Sequence, residues 1–163
     1  RIQRLLVNAE FVKYRDDLLS QFQNLNREWL RQYLEITLHD DKVLSDPLNE
    51  IIKKNGEIYC LVTDDQVIGT YALHKLGNGS CELCKFSVAA DFRGHALGKR
   101  MLDHAIGRAR LKGYNTLLLL THDKLAAATN LYRKSGFTEI ESHPDLTDHS
   151  GRCSISMKME LEP

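Results

Sequence analysis

The chain has 163 residues, 42% of them hydrophobic and 27% charged, and its 22 basic and 22 acidic residues give a net charge of +0. These values are typical of one globular domain that buries its own core, here spanning residues 1–163. The charge balance does not predict a strongly basic surface for nucleic acid or an anionic membrane, and apolar runs such as residues 117–120 are too short for a transmembrane helix.

The N-terminal third predicts one strand followed by helices. Residues 2–7 alternate weakly between apolar and polar side chains and predict a strand. Residues 14–22 and 26–38 have helical spacing. Asp46 and Pro47 then open a short helix over residues 48–54. The apolar stripe of the second helix consists of Trp29, Leu30, Tyr33 and Leu34.

The middle of the chain predicts an antiparallel meander of three strands. The strands cover residues 58–63, 66–76 and 81–88. Asp64 and Asp65 form the first turn between them, and the Gly-Asn-Gly-Ser segment at residues 77–80 forms the second.

The C-terminal half predicts two helices and three further strands. Gly113 ends a helix over residues 96–111, and the four leucines within residues 116–121 suit a strand buried on both faces. Asp123 is the predicted N-cap of a helix over residues 124–135, which Gly136 ends. Two strands follow, over residues 137–141 and 153–161. The sum is an α/β (α+β) domain with a mixed sheet covered by helices.

The four cysteines predict buried thiols. Cys81 and Cys84 form a C-x-x-C pair, but Cys60 and Cys153 supply no second pair at zinc-binding spacing. On a strand, Cys81 and Cys84 point to opposite faces. We therefore expect no metal site and a reducing, cytoplasmic location, in keeping with a beginning of the chain that does not resemble a signal peptide.

The most informative stretch covers residues 88–98 and lies between a predicted strand and a predicted helix. It contains Arg93 and small residues that leave backbone N–H groups unpaired at a helix N-terminus, which favours an anion. The stretch matches neither a P-loop nor a dinucleotide-binding fingerprint. It predicts a cradle for a pyrophosphate.

Two segments together resemble the GNAT superfamily of N-acetyltransferases. Residues 93–98 resemble its R-x-x-G-x-G/A loop, although Ala96 stands where glycine is usual. Residues 128–137 resemble its A-x-x-L-Y-x-K-x-G-F segment, in which the tyrosine is Tyr132. A third position departs from the family, since Leu125 replaces an asparagine that often binds the pantetheine arm. The resemblance covers residues 57–137 well and the rest in outline.

The resemblance implies a mostly antiparallel sheet of about seven strands with helices on both faces, and acetyl-CoA as co-substrate. It further implies that the strands ending at Val88 and starting near Thr116 splay apart and admit the pantetheine arm by strand addition. The residues that it assigns to acetyl-CoA are Phe86, Ser87, Val88, Arg93, Gly94, His95, Ala96, Leu97, Gly98 and Lys99.

Two residues are the catalytic candidates. Tyr132 matches the family tyrosine that protonates the departing thiolate, although a core tyrosine is the alternative. Glu82 lies six residues before Val88, where several family members carry a base, and a salt bridge with Lys75 or Lys85 is the alternative. Without a bulge, Glu82, Cys84 and Phe86 share one strand face. His74 and His122 are the other candidate bases.

The acceptor is specified less well. Trp29, Tyr33 and Arg152 are the candidate substrate residues, with Arg152 either pairing with a substrate carboxylate or lying on the surface as an ordinary arginine. The expected activity is acetyl transfer, in a ternary complex, to a primary amine of a small molecule such as an amino acid. The alternatives are a non-catalytic acyl-CoA-binding domain and a protein or peptide N-acetyltransferase. A homodimer is expected by analogy with the family.

Overall fold

A computed structural model of the chain describes residues 1–162, in which seven strands form one sheet of order β1-β2-β3-β4-β5-β7-β6. Only the β4–β5 pair is parallel. The predicted mixed, mostly antiparallel sheet is therefore confirmed. The strands are β1 (Glu10–Lys13), β2 (Glu57–Thr63), β3 (Gln66–Lys75), β4 (Ser80–Val88), β5 (Thr116–Thr121), β6 (Thr138–Ile140) and β7 (Ile155–Glu160).

Helices cover both faces of the sheet, as predicted. On one face, α5 packs its buried residues, such as Leu102 and Ala105, against Tyr71 and Leu117 of the sheet. On the other face, Phe22 of α2 packs with residues of α3 and β2. The helices are α1 (Ile2–Asn8), α2 (Leu19–Tyr33), α3 (Leu38–Ser45), α4 (Pro47–Glu50), α5 (Leu97–Leu111) and α6 (Ala126–Lys134).

The strand predicted over residues 2–7 is wrong, because this segment forms α1. Its apolar residues Ile2, Leu5 and Leu6 recur at helical spacing, and they pack with Phe92 and Met101 beneath the start of α5. The first strand is β1, which follows α1 immediately.

The predicted helix boundaries also need correction. A single helix, α2, runs through the region where two helices were predicted, and a short 3₁₀ turn (Asp16–Leu18) precedes it. The chain then forms α3, which the sequence analysis missed and which a capping box between Thr37 and Asp40 begins. Asp123 does not cap α6, since that helix begins at Ala126 and its N-cap is Leu125, which makes no side-chain cap bond.

The centre of the sheet opens where β4 and β5 part. Their parallel pairing runs from Ser80 opposite Thr116 to Leu83 opposite Leu119 and stops there. The rest of β4 bonds only to β3, with one extra residue inserted between Cys84 and Ser87. Lys85, which has φ +51°, lies in this bulge. The predicted splaying of these two strands is therefore present in the structure.

The cysteines of the described chain are free thiols. Cys81 packs against the α5 face and Cys84 against the α2 face, as the strand alternation predicts. Burial raises the pKa of each of these two thiols to about 12, so both are protonated at neutral pH. Within residues 1–162, no cluster of His, Cys, Asp and Glu has the arrangement of a metal site, and no helix is long and apolar enough to span a membrane.

Candidate functional site

The start of α5 presents a row of backbone donors. The amides of residues 94–99 have no acceptor among the described residues. Residues 97–99 form the first turn of α5, where amides have no intrahelical partner, and residues 94–96 form the loop before it. Gly94 has φ +79° and Ala96 has φ +60°, so the loop turns through two left-handed residues. At Gly98, a Cβ would lie 3.0 Å from Leu131 Cδ2, so glycine allows α5 to start close to α6. This arrangement suits an anion.

Arg93 links this loop to the end of β4 and to α2. Its Nε donates to the carbonyl oxygen of Val88 at 3.1 Å, and its Nη1 donates to Gln32. The guanidinium carbon lies 5.4 Å from the centroid of the Tyr33 ring. Its Nη2 is buried without a partner in residues 1–162. Arg93 therefore orients the loop and keeps one donor uncommitted.

The other predicted residues of the loop differ in how far they are engaged. His95 is exposed and lies, with Gly94 and Ala96, beside α1. Lys99 pairs with Asp103 one helical turn away, with 2.7 Å between Nζ and Oδ2. The next residue, Arg100, donates to the carbonyl oxygens of Leu6 and Ala9, so it holds the end of α1 instead of pointing into the cradle.

The free end of β4 presents backbone groups to the gap. Ala89 N–H donates to Ile68 on the β3 side, and adjacent residues of a strand point their backbone groups to opposite sides. The N–H of Val88 therefore faces the gap left by β5. Nearby, the Ser87 hydroxyl donates to Asn26 Oδ1 at 2.9 Å and ties β4 to α2.

Tyr132 borders the same gap. Its ring makes edge contacts with Phe86 and Phe137, whose centroids lie 6.0 Å and 5.8 Å away. The residue is 7% exposed, and burial raises the pKa of its hydroxyl above the usual 10. The hydroxyl makes no hydrogen bond within residues 1–162, so it is available to a ligand as a donor.

A cavity of about 390 Å³ joins this gap to the α2 face of the sheet. Glu82 lies in its floor, and its carboxylate has no hydrogen bond or ion pair within the described residues. Burial raises the pKa of Glu82 to about 7, although the nearby Lys85 opposes the change. A carboxyl group with this pKa is suited to proton transfer at neutral pH.

The two histidines considered as bases also line the cavity. His74 lies directly opposite Glu82 in the β3–β4 register, and its pKa is lowered first by burial and then by Lys54. His122 accepts a hydrogen bond from the Lys124 amide at its Nδ1, which occupies that nitrogen.

The bulge in β4 changes which side chains share a face. Phe86 packs on the α5 face with Tyr132, whereas Cys84 packs on the α2 face. The shared face of Glu82, Cys84 and Phe86 was expected only for a strand without a bulge, and the bulge at Lys85 moves Phe86 off it. Lys85 instead joins Glu82 in lining the cavity, and its Nζ lies 3.4 Å from Asp40 Oδ1.

Arg152 and Lys85 meet on one buried carboxylate. Arg152 Nη1 lies 2.6 Å from Asp40 Oδ2 and ties the segment between β6 and β7 to α3. Burial alone would raise the pKa of Asp40, but hydrogen bonds from Arg152 and from the Thr37 amide, with the charge of Lys85, lower it to about 2. Asp40 is therefore ionised at any pH near neutral.

The other two predicted acceptor residues, Trp29 and Tyr33, lie in different places. Trp29 lines the cavity, whereas Tyr33 lies outside it and packs on Arg93. Asp40, His39 and His149 also line the cavity, although none of them was predicted as a site residue. The spacing of Thr37 and Asp40 is typical of a capping box, so it could have indicated the start of a helix. It could not have indicated that the Asp40 carboxylate pairs with Arg152.

The chain resembles known proteins in sequence and in fold. A family model described as "Acetyltransferase (GNAT) family" matches residues 16–137. An uncharacterized N-acetyltransferase of Schizosaccharomyces pombe is 28% identical over 142 residues, which cover 84% of this chain and 86% of that protein. N-acetylaspartate synthetase of Rattus norvegicus is 33% identical over 131 residues, which cover 76% of this chain and 40% of that protein.

A solved structure has the same fold. PaiA N-acetyltransferase from Thermoplasma acidophilum, in complex with coenzyme A, superposes with a TM-score of 0.74 at 17% identity. The match covers 93% of this chain and 98% of that chain.

Proposed function

Because this chain belongs to the GNAT family of acetyltransferases, we propose that it transfers the acetyl group of acetyl-CoA directly to a primary amine of a small molecule. The observation that supports this proposal best is that one continuous cavity reaches both reacting groups. It connects the gap beside Tyr132 with Glu82, which has no partner, so a donor and an acceptor fit in one ternary complex.

The donor end is held by backbone groups. The unpaired amides of residues 94–99 bind the pyrophosphate, and Arg93 orients them and adds its free Nη2. The exposed edge of β4 at Phe86 to Val88 pairs with the pantetheine arm. Acetyl-CoA supplies the acyl thioester. The N–H of Val88 is the donor that we assign to the developing oxyanion.

The acceptor end depends on proton transfer. An alkyl ammonium must lose a proton before it can attack, and Glu82 takes that proton, directly or through water. Tyr132 donates its hydroxyl proton to the departing sulfur, since that hydroxyl has no other partner in the described chain. Glu82 thus acts as the general base and Tyr132 as the general acid.

The shape of the cavity favours a small acceptor over a peptide. Its volume of about 390 Å³ lies near the lower end for ligand pockets and also has to admit the end of the pantetheine arm. The Arg152–Asp40 ion pair closes the side between α3 and the β6–β7 segment, where a peptide groove would have to open. The name of the relative N-acetylaspartate synthetase likewise describes an acetylated amino acid.

Calorimetric titration with acetyl-CoA tests the donor site. We expect micromolar binding, an affinity lower by about 10-fold or more in Arg93→Ala, and no change in Arg110→Ala, which alters an exposed arginine further along α5. If the wild-type protein does not bind acetyl-CoA, the proposed function is wrong.

Thiol release with small amines and with a peptide N-terminus tests the chemistry. The proposal predicts turnover with small amines, whereas faster turnover of the peptide would favour a peptide acetyltransferase. If the protein binds acetyl-CoA and releases no thiol with any amine, the non-catalytic alternative is correct.

The free thiols bear on the compartment. Cys60 and Cys81 are buried and Cys84 and Cys153 are half-buried, as structural thiols of a reducing compartment are, and we propose the cytoplasm on that ground.

A further inference from the structure

One wall of the cavity carries more cations than carboxylates. Asp40 is shared by Arg152, at 2.6 Å, and Lys85, at 3.4 Å. Glu50 is shared by Lys54 and Lys42, whose Nζ atoms lie 3.4 Å and 3.9 Å from its carboxylate oxygens. All these residues line the cavity. We call these six residues the cationic wall, because it has four positive charges against two negative ones.

Asp145 and Asp148, two further carboxylates of the lining, balance the charge of the cavity as a whole, but within the described residues neither forms an ion pair with Arg152 or Lys85. Asp148 accepts the amides of Ser150, Gly151 and Cys153 within the β6–β7 segment. Asp145 accepts hydrogen bonds from the turn between β3 and β4.

The cations of the wall keep free donors. Arg152 spends both terminal nitrogens on Asp40, and its Nε is buried without a partner in residues 1–162. Lys85 makes one contact, with Asp40, although an ammonium group has three N–H donors. Their side chains are 22% and 15% exposed, so water screens a charge near them less than at an open surface.

We propose that the acceptor carries a carboxylate beside its amine, and that Arg152 and Lys85 bind this carboxylate while the amine lies at Glu82. The inference rests on the proposed function and names its substrate class, a small amino carboxylate. The bulge is essential to it, since a regular strand would turn Lys85 to the α5 face, away from Glu82. Arg152 and Lys85 are thus specificity-determining residues.

Thiol release with matched acceptors tests the inference. The probes are glycine, L-alanine, L-aspartate, L-phenylalanine and 4-aminobutyrate, each compared with the amide of the same compound. The amides are weaker bases, so protonation of the amine does not account for a preference for the carboxylates. For at least one pair, we expect kcat/KM to be about 10- to 100-fold higher for the carboxylate.

The variants Arg152→Gln and Lys85→Gln separate binding from structure. Loss of a loop contact lowers turnover of both members of a pair, whereas loss of carboxylate binding removes the preference itself. We expect the ratio between carboxylate and amide to fall about 10-fold or more in each variant, with partial recovery in Arg152→Lys. Arg110→Gln, which changes an exposed arginine on α5, is the matched control and keeps the wild-type ratio.

The outcomes for the two proposals can be distinguished. Equal or faster turnover of the amides overturns the inference and leaves the proposed function intact. An unchanged ratio in both variants also overturns it. Binding of acetyl-CoA without turnover of any probe counts against both proposals.

Discussion

Replacing Glu82 with glutamine is expected to lower activity and to raise stability. Burial raises the pKa of this carboxyl group from an ordinary 4.5 to about 7. Since a difference of one pKa unit between the folded and unfolded states corresponds to about 1.4 kcal/mol, the ionised group destabilises the folded protein by up to about 3 kcal/mol above pH 7. The amide of glutamine has similar size and carries no charge, so Glu82→Gln removes this penalty.

The sign of the pH dependence follows from the direction of the pKa shift. Below pH 4.5 the carboxyl group is protonated in both the folded and the unfolded chain, so the charge penalty is absent. Between pH 4.5 and 7 the unfolded chain ionises first, and the wild-type protein loses stability relative to Glu82→Gln. Above pH 7 both states are ionised, and the difference stays constant.

Two measurements check this reasoning. Denaturant unfolding from pH 4 to 8 is expected to give a stability difference that grows from near zero to about 3 kcal/mol in favour of Glu82→Gln. In steady-state assays, wild-type kcat/KM rises with an apparent pKa of about 7, whereas the variant is about 10²- to 10⁴-fold slower and lacks this dependence.

The control is Glu10→Gln, which changes an exposed glutamate on β1. It is expected to alter neither profile. A stability difference between wild type and Glu82→Gln that is flat from pH 4 to 8 would refute the assignment of a raised pKa. Wild-type activity in Glu82→Gln would refute the role of Glu82 as a base.

Three further substitutions have clear expected outcomes. Tyr132→Phe should lower kcat about 100-fold or more and leave the calorimetric affinity for acetyl-CoA unchanged, because the hydroxyl has no partner in the described structure. Ala96→Gly relieves a left-handed φ of +60°, so we expect the free energy of unfolding, measured in denaturant, to rise by up to about 1 kcal/mol. Acetyl-CoA should bind this variant at least as well as the wild-type protein. Gly56→Ala places a Cβ 2.6 Å from the carbonyl oxygen of Leu73, so the same assay should show a free energy of unfolding lower by about 2 kcal/mol or more. An unchanged stability would contradict the close packing at this glycine.

The sequence predicted the parts of the site that depend on local geometry. The loop at residues 93–98 and the segment around Tyr132 each lie beside the helix or strand expected for them. The gap between β4 and β5 was implied by the resemblance to the family, and the structure shows it where their pairing stops. Such features can be predicted because turn residues and hydrophobic periodicity act over a few residues.

The cationic wall of the cavity depends on contacts between residues far apart in the chain, so the sequence did not predict it. Asp40 and Arg152 are 112 positions apart, and no local pattern pairs them. The helix α1 was misread for a related reason. A short segment with a few apolar residues fits both periods, and packing against Phe92 and Met101 decides between them.

The bulge at Lys85 explains why the two faces of β4 carry other side chains than a regular strand would give them. A regular strand with period two puts Phe86 with Glu82 and sends Lys85 to the opposite face. One inserted residue reverses both placements, so that Phe86 packs against Tyr132 while Lys85 lies beside Glu82 in the cavity.

The bulge also lies directly beyond Leu83, the last β4 residue paired with β5, so a single backbone irregularity coincides with the opening of the gap. The donor and acceptor sides of the proposed site therefore meet at this irregularity. A substitution that restored regular pairing in β4 would affect both sides at once.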